Sequence, residues 1–427
     1  MAVIRPFLCI RPEAEAASRV AALPYDVYSR EEAKREVEKE PLSFLGIDRA
    51  ETGLPDSVDE YAPEVYERAR ELLCRMEEKG IFVKEKSPCY YLYELTMDGH
   101  SQTGLVACSS VDDYVNHVIK KHENTREEKE QDRIRHVDVT NAQTGPIFLA
   151  YRRTAAAEEL ICREKEKEAL YDFISPDGVR HRVFRIAGED KLRRLTEEFA
   201  KIPSTYIADG HHRAASAVKV ALKRRAEHPG YDGTEEFNYF LSVLFPAEEL
   251  KILSYNRVVR DLNGLTAEEF LEKLGENFVI LEGEEQKASD REEQKASGHE
   301  VRKIPAKKGQ FCMYLDGRWY TLDAKKEILT KDPVKGLDVS LLQDYLLEPV
   351  LGIADPRTDR RIAFIGGIRG TKELERRCGE DMRVAFSMYP TSMEELLSVA
   401  DAGLLMPPKS TWFEPKLRSG LFIHELS

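Results

Sequence analysis

The sequence predicts an α+β fold, and three kinds of local pattern support this prediction. Apolar stretches meet at Asp98-Gly99, Asp177-Gly178 and Asp316-Gly317, which is typical of tight turns between antiparallel strands. Residues 58–79 repeat apolar side chains at helical spacing, as an amphipathic helix does. Residues 206–215 join a short apolar strand to the start of an Ala-rich helix. Helices and antiparallel hairpins in one chain indicate an α+β architecture.

Length and composition narrow the class of protein. A chain of 427 residues predicts two or three domains, and 42% hydrophobic with 33% charged residues fits a globular protein. The formal charge is −13, so we expect no non-specific binding of nucleic acid. The seven cysteines include no CxxC pair, which predicts reduced thiols and disfavours a zinc ribbon. No apolar run reaches membrane-spanning length and no signal-peptide pattern is present, so we expect a cytoplasmic protein without membrane contact; an oligomer is compatible with the sequence.

Further elements are predicted in order along the chain. Ser29, followed by acidic residues, is a good helix start, and the helix beginning at Thr391 has that residue as its predicted N-cap with Glu394 at capping-box spacing. The remaining predicted strands are at 89–96, 102–110, 144–151, 238–245, 251–257, 362–365 and 384–388, and the remaining helices are at 155–168, 191–202, 266–278 and 337–347. Residues 284–297 repeat Glu-Glu-Gln-Lys-Ala-Ser without apolar anchors, which predicts a mobile surface loop.

The stretch Tyr206–Ala215 is the most informative part of the sequence. Its apolar run ends in Asp209-Gly210, and His211, His212 and Arg213 follow at the start of a helix. Free N–H groups and the positive end of a helix dipole suit an anion such as phosphate. Glycine allows close approach of the backbone, and an arginine fork matches phosphate oxygens. The alternative is an ordinary strand–helix junction with Asp209 near the N-cap.

A second stretch, residues 119–136, is densely charged and contains His122, Glu123 and Arg126. A charge run of this kind is often a solvated helix face. A carboxylate beside a histidine, with arginines close behind, is also the material for a base that faces a phosphate site. Arg126 fits either a phosphate contact or a surface salt bridge.

The third stretch is the loop Met406–Lys416, which combines prolines, hydroxyls, lysines and aromatic residues. Lys409, Ser410 and Thr411 are suitable for binding a small polar ligand. The alternative is a proline-bounded tail held in place by Trp412 and Phe413.

Together these stretches resemble a known family. Lys121-His122-Glu123, Ile207–Arg213 and Pro408–Thr411 look like the three motifs of the free L-serine kinases of the ParB/sulfiredoxin-like superfamily and their long bacterial relatives. Glu123–Arg126 and Gly210–Arg213 also fit the two nucleotide boxes of ParB-like proteins. Each motif is weak alone, but three in the same order are specific.

The resemblance implies a fold and a domain order. It implies a ParB/sulfiredoxin-like core with a mixed sheet over about residues 101–260. An N-terminal αβ segment would occupy residues 1–100. A C-terminal αβ domain, residues 261–427, would close the substrate site.

The resemblance also implies an activity, which is phosphoryl transfer from ATP or ADP to the hydroxyl of free L-serine with Mg²⁺. The implied site residues are catalytic Glu123 and Asp209, with Asp209 holding the metal; phosphate-binding Gly210, His211, His212, Arg213 and Arg126; and substrate-binding His122, Lys409, Ser410 and Thr411.

Several departures from the family pattern leave alternatives open. Glu123 and Asp209 lie further apart in sequence than in the short archaeal kinases, and Trp412-Phe413 replaces Arg-His, which affects the choice of acceptor. The chain could instead be a non-enzymatic nucleotide-binding regulator or a kinase for another hydroxyl compound. A zinc site built from His211 and His212 is disfavoured because no third ligand stands at a familiar spacing.

Overall fold

The computed structural model describes residues 1–282 and 302–427, so the repeat at 284–297 and its predicted mobile loop lie outside the described residues. The described chain forms two compact units, Met1–Leu250 with Pro415–Ser427, and Lys251–Glu414. Both units combine helices with a β-sheet, so the predicted α+β class is confirmed.

The first unit is built on a mixed nine-stranded sheet with the order β6-β11-β8-β12-β5-β4-β10-β9, and β1 pairs with β5. The strands of this unit are β1 Ile4–Arg5, β2 Ile10–Pro12, β3 Phe82–Lys84, β4 Tyr90–Met97, β5 His100–Ser110, β6 Ile119–Lys120, β7 Ala142–Gln143, β8 Ile147–Tyr151, β9 Tyr171–Ile174, β10 Arg180–Ile186, β11 Thr205–Asp209 and β12 Tyr239–Pro246, with the last strand of the chain, β21 His424–Glu425. Strands β2 and β3 form a separate pair, as do β7 and β21.

Local sequence explains the long β4–β5 hairpin. Asp98 and Gly99 have φ values of 51° and 78°, so both adopt the left-handed conformation that a two-residue hairpin turn requires. The seven registered pairs from Tyr91↔Val106 to Met97↔His100 follow from that turn. The predicted hairpin is therefore confirmed.

Helices cover the first unit's sheet and pack beside it. They are α1 Ala17–Val20, α2 Arg30–Lys39, α3 Leu45–Asp48, α4 Pro63–Glu78, α5 Val111–Val115, α6 Glu127–Thr140, α7 Ala155–Lys165, α8 Glu189–Phe199 and α9 His211–Glu227. Ser29 caps α2 in a capping box with Glu32, as an N-terminal serine followed by acids predicts. The main core lies between the sheet and helices α7, α8 and α9, and a second core packs α4 against the N-terminal segments.

The second unit has a six-stranded sheet with the order β15-β17-β16-β19-β14-β18, and a separate pair β13-β20. Its strands are β13 Ile252–Leu253, β14 Tyr255–Val259, β15 Phe278–Glu282, β16 Gln310–Leu315, β17 Arg318–Ala324, β18 Ile362–Gly366, β19 Val384–Ser387 and β20 Trp412–Phe413, and its helices are α10 Ala267–Asn277, α11 Asp338–Leu342, α12 Gly370–Glu380 and α13 Met393–Asp401.

Two predicted helices of the second unit differ in detail from the structure. Helix α13 begins one residue later than predicted, because Ser392 is the N-cap and Glu395 completes the capping box. Thr391 instead donates its hydroxyl to the carbonyl of Ser410, 2.9 Å away, so it is not available as a cap. The predicted helix 337–347 is α-helical only at Asp338–Leu342 and continues as a π-helix over Gln343–Leu347.

All seven cysteines are free thiols, as the sequence predicts. Within the residues that the structure describes, no helix combines the length and apolar character needed to cross a membrane.

Candidate functional site

The candidate site lies where two parallel strands end. Strands β6 and β11 are parallel neighbours at one edge of the sheet, with Ile119 opposite Thr205 and Lys120 opposite Tyr206. Because parallel strands end at the same edge, the residues that follow β6 and those that follow β11 come together. His122 and Glu123 follow β6, and the Asp209–Arg213 turn follows β11. The predicted strand–turn–helix at this turn is confirmed.

Gly210 allows the chain to change direction between β11 and α9. Its φ of 90° lies in the region that favours glycine, and it is the N-cap residue of the 17-residue helix α9. As a glycine, this N-cap residue makes no side-chain hydrogen bond to the first turn of the helix. The first N–H groups of a helix have no partner within the helix, and the dipole gives them partial positive charge. The turn therefore has the physical features of an anion site.

Asp209 is the acidic residue of the turn, and cations surround it. Its Oδ2 lies 3.4 Å from Nζ of Lys416 and 3.8 Å from Nη2 of Arg213, while its Oδ1 accepts a 3.0 Å hydrogen bond from the N–H of Gly210. Burial raises the pKa of this carboxyl, but Lys416, Arg213 and the N–H of Gly210 outweigh burial and lower it to about 2. The side chain is still 37% exposed, so an ionised carboxylate can meet a ligand.

Arg213 is held in place from several sides. Its Nη1 donates a 2.6 Å hydrogen bond to the carbonyl of Pro146, at the entrance to β8. A Cβ added at Gly210 would lie 3.1 Å from Nε and Nη2 of Arg213, which shows how closely the guanidinium packs on the turn. The side chain is only 15% exposed. This fixed guanidinium can direct its remaining N–H groups at an anion.

His122 and His211 pack against each other beneath the turn. Their ring centroids are 4.6 Å apart at an interplanar angle of 88°, and the residues are 2% and 7% exposed. Both ring nitrogens of His122 and Nε2 of His211 are buried without a hydrogen-bond partner of normal geometry among the described residues. Each unpaired buried polar group costs about 1–3 kcal/mol unless something compensates it.

Burial keeps both imidazoles uncharged. Desolvation lowers the pKa of His122 to about 4, although Asp209 and the nearby carbonyl of Ile207 act in the opposite direction. Burial also places the pKa of His211 well below its ordinary value, and His122 lowers it further. Neutral imidazole offers a lone pair, which is the form that binds a metal ion.

Glu123 completes a group of three possible metal ligands with these histidines. One ligand atom each from His122, Glu123 and His211 lies within 4.8 Å of the other two. Spacing in the sequence does not indicate this set, because His122 and Glu123 follow strand β6 whereas His211 follows strand β11.

His212 and Arg126 meet on the outer side of the turn. Nε2 of His212 accepts a 3.0 Å hydrogen bond from the backbone N–H of Arg126, which is the N-cap of α6. The side chains of His211 and His212 therefore take different directions, as neighbouring helical residues do. The Arg126 side chain is exposed, and its predicted phosphate contact stays a prediction.

The charged stretch after Glu123 forms part of the protein interior in helix α6. Asp132, Arg133 and His136 are buried, so the solvated-face alternative is wrong for them. The reason is tertiary, because α6 packs between α4 and α9. Asp132 accepts a 2.9 Å hydrogen bond from Nε of Arg133 and a 3.0 Å bond from the hydroxyl of Tyr66. The polar cavity beside this network has a volume of about 160 Å³, which is small compared with nucleotide-sized pockets.

Lys409, Ser410 and Thr411 belong to the second unit. Lys409 has a φ of 60°, and its carbonyl accepts a 3.0 Å hydrogen bond from Nη2 of the buried Arg257. The hydroxyl of Ser410 donates to the carbonyl of Pro407 at 2.6 Å, and Ser410 is buried. Thr411 directly precedes β20. Their predicted role in binding a substrate stays a prediction.

Lys416 is a site residue that sequence reasoning did not single out. It follows the proline-rich loop and belongs to the C-terminal segment that returns to the first unit. Ser419 exchanges backbone hydrogen bonds with Ala22, and Gly420 donates to Thr144, which anchors that segment. No local signal marks Lys416 as the partner of Asp209.

A family model supports the assignment of the chain to a group of proteins. The model for DUF1015, described as a protein family of unknown function, matches residues 4–340. The chain belongs to the DUF1015 family. No curated protein sequence matches this DUF1015 protein.

Several solved structures are similar to this DUF1015 protein at low sequence identity. A free serine kinase in complex with AMP is 14% identical, with a TM-score of 0.33, and the match covers 74% of this chain and 91% of the kinase. A hypothetical protein from Pyrococcus furiosus is 13% identical, with a TM-score of 0.32 and coverage of 75% and 94%. C-terminally truncated SbnI from Staphylococcus aureus is 11% identical, with a TM-score of 0.36 and coverage of 73% and 85%. Likenesses of this size carry no argument about activity, which must come from the site.

Proposed function

We propose that this DUF1015 protein is a nucleotide-dependent small-molecule kinase, with free L-serine as its acceptor and O-phospho-L-serine as its product. One observation carries the proposal. A carboxylate oxygen of Glu123 lies within 4.8 Å of a ring nitrogen of His211, at the N-terminus of α9 and beside the Asp209–Arg213 turn. A base next to a phosphate site is the arrangement that phosphoryl transfer to a hydroxyl requires.

The turn would bind the phosphates of ATP or ADP. The N–H groups at the start of α9 and the guanidinium of Arg213 are the donors, and Gly210 lets phosphate oxygens approach the backbone. Since the 2.6 Å hydrogen bond to Pro146 already fixes Arg213, little ordering is needed when the nucleotide binds. Most of the rate enhancement in phosphoryl transfer comes from such positioning and charge neutralisation.

Glu123 would act as the base. The acceptor hydroxyl oxygen forms a bond to the terminal phosphorus, the bond from that phosphorus to the bridging oxygen breaks, and the hydroxyl proton moves to Glu123. The leaving group is ADP when ATP is the donor and AMP when ADP is the donor. A positioned base contributes about 10²–10⁴-fold to the rate.

Asp209 fits the role of a Mg²⁺ ligand. Its carboxylate is ionised and partly exposed beside the phosphate-binding turn. Mg²⁺ commonly binds to one or two carboxylates together with substrate phosphates, and it would neutralise phosphate charge there. Asp209 would hold the ion, and Arg213 would orient the phosphates next to it.

The choice of L-serine depends on the resemblance of three sequence motifs to the free L-serine kinases. The loop Pro408–Thr411 is part of that resemblance, and it supplies hydroxyls and a lysine suited to the carboxylate of an amino acid. Trp412-Phe413 departs from the family pattern, so other hydroxyl compounds belong in the same test.

Mass spectrometry of the reaction products tests the proposal directly. The full chain is incubated with Mg²⁺, L-serine and either ATP or ADP, and in parallel with a panel of other small alcohols. We expect O-phospho-L-serine with one donor, and product formation slower by about 10²–10⁴-fold in a Glu123→Gln variant. Nucleotide binding without phosphorylation of any acceptor would overturn the kinase proposal in favour of a nucleotide-binding regulator. Phosphorylation of another compound but not of serine would overturn the assignment of L-serine as the acceptor.

A further inference from the structure

We propose that His122, His211 and Glu123 form a binding site for one divalent transition-metal ion. This inference goes beyond the proposed kinase activity and does not depend on it. The ion is of the class that includes Mn²⁺, Fe²⁺, Co²⁺ and Zn²⁺, since imidazole nitrogens with a carboxylate suit these ions, whereas Mg²⁺ and Ca²⁺ prefer oxygen ligands alone.

The first argument is the geometry of the three donors. One ligand atom from each residue lies within 4.8 Å of the other two. Donors bound to one tetrahedral ion at about 2.0–2.2 Å are about 3.3–3.6 Å apart, so the widest pair has to close by at most about 1.5 Å. Rotation of three side chains can supply a movement of that size.

The second argument is the state of the ring nitrogens. Both nitrogens of His122 and Nε2 of His211 are buried without a hydrogen-bond partner of normal geometry among the described residues, and the nearest acceptor of His122 is the carbonyl of Ile207. Buried polar groups in proteins almost always have a partner. A metal ion between the two rings would satisfy one nitrogen of each at once.

The site provides three protein ligands, which leaves at least one position of a tetrahedral ion open. A bound divalent ion would lower the proton affinity of the Glu123 carboxylate, so occupation of this site should slow proton transfer to Glu123. Asp209 remains available for Mg²⁺ with the phosphates. The transition-metal ion and Mg²⁺ would therefore occupy different ligands.

Titration of the metal-free full chain with Co²⁺ and with Zn²⁺ tests the proposal, without nucleotide or acceptor present. Visible absorption follows Co²⁺, and calorimetry follows Zn²⁺. We expect one ion per chain and no competition from millimolar Mg²⁺. Because loss of an outer-shell partner alone costs about 10–100-fold in metal affinity, His122→Asn, His211→Asn and Glu123→Gln should each lower affinity by at least about 100-fold.

His117→Asn is the matched control. His117 is exposed and has a φ of 59°, a conformation that asparagine adopts readily, so the exchange removes an imidazole without straining the backbone. This variant should bind Co²⁺ with unchanged affinity. Circular dichroism checks the fold of each variant, and Glu123→Gln, at a half-buried position, provides the test if an asparagine variant does not fold.

The absence of tight Co²⁺ and Zn²⁺ binding in the unmodified chain would overturn the proposal. Binding of one ion with equal affinity in all three ligand variants would overturn it too, because the ion would then occupy another place. These readouts are independent of catalysis. If the chain binds Co²⁺ through these residues but phosphorylates no acceptor, the metal site is supported and the kinase proposal is contradicted.

Discussion

The Asp209–Arg213 turn of the first unit and the Pro407–Thr411 loop of the second differ in whether their buried polar groups have hydrogen-bond partners. Beneath the turn, ring nitrogens of His122 and His211 have no hydrogen-bond partner among the described residues. In the loop, the hydroxyl of Ser410 donates to Pro407. Carbonyls of the loop accept hydrogen bonds from Thr391 and Arg257.

This difference separates polar groups that stabilise the loop from groups that the proposed metal ion would satisfy. A buried group without a partner costs about 1–3 kcal/mol, whereas a satisfied one contributes modestly to stability. The loop thus holds its own backbone conformation, including the left-handed Lys409. At the turn, the ring nitrogens of His122 and His211 without hydrogen-bond partners lie beside the groups proposed to bind phosphate. Changes in the turn should affect ligand binding and turnover, and changes in the second unit should affect stability.

The largest effect should come from Glu123→Gln. Loss of the base should lower turnover by about 10²–10⁴-fold, while nucleotide affinity stays within a few-fold because the Asp209–Arg213 turn is intact. Product formation by mass spectrometry and nucleotide titration by calorimetry measure the two quantities. Glu128→Gln, at an exposed position of α6, is the control with the same chemical change. Normal turnover in Glu123→Gln would remove Glu123 as the base.

The next effect concerns Asp338 in the second unit, a buried acid whose two oxygens lie 3.0 Å from the N–H of Gly309. Burial raises its pKa to about 7; the N–H of Gly309 and Lys308 lower it, and Glu395 raises it. Because the pKa of Asp338 is higher in the folded than in the unfolded state, the protonated carboxyl stabilises the fold. This stabilisation is complete below the unfolded-state pKa and is lost as the pH rises through the folded-state pKa of about 7. Asp338→Asn keeps an oxygen acceptor and cannot ionise.

Relative to the unmodified chain, Asp338→Asn should therefore gain about 4 kcal/mol of unfolding free energy between pH 4 and pH 8. Urea denaturation at the two pH values measures this gain. Asp98→Asn, at the exposed hairpin turn, where the φ of 51° also suits asparagine, is the control with the same chemical change. A difference between Asp338→Asn and the unmodified chain that does not vary with pH would contradict the assignment.

A smaller effect distinguishes conformational strain from loss of the anion site. Gly210 and Gly188 have φ values of 90° and 103°, so alanine at either position should cost about 1–2 kcal/mol of stability. A Cβ at Gly210 also meets Arg213 at 3.1 Å, whereas a Cβ at Gly188 meets nothing within 4 Å. Gly210→Ala should therefore weaken nucleotide binding several-fold and Gly188→Ala should not. Thermal unfolding and calorimetry test the pair, and equal nucleotide affinity would mean that Arg213 does not bind phosphate.

The smallest effect should come from Ser410→Ala, which removes the hydrogen bond to Pro407. We expect a loss of about 1 kcal/mol in unfolding free energy, with nucleotide affinity unchanged. Ser398→Ala on the half-buried face of α13 is the control. A rise in KM for the acceptor without loss of stability would show instead that Ser410 serves the substrate, as the sequence motif predicts.

Elements that depend on neighbouring residues could be predicted from the sequence. The hairpin at Asp98-Gly99 and the capping box of Ser29 are examples, since both are set by residues a few positions apart. The prediction of Thr391 as an N-cap was wrong by one residue, because either hydroxyl satisfies the pattern and a distant carbonyl decides between them. The burial of Asp132, Arg133 and His136 could not be predicted, since α6 alone has no clear apolar face and its neighbours decide which side is covered.

The sequence alone determined the strand, turn and helix of residues 205–227, because an apolar run, a glycine that accepts positive φ and an Ala-rich segment are local properties. Only the tertiary structure decided which groups stand beside that turn. His122 and Glu123 reach it because β6 pairs in parallel with β11, and Lys416 reaches Asp209 because the C-terminal segment returns to the first unit. Such contacts join residues far apart in the chain, and their positions follow from strand pairing and packing, which no local pattern encodes.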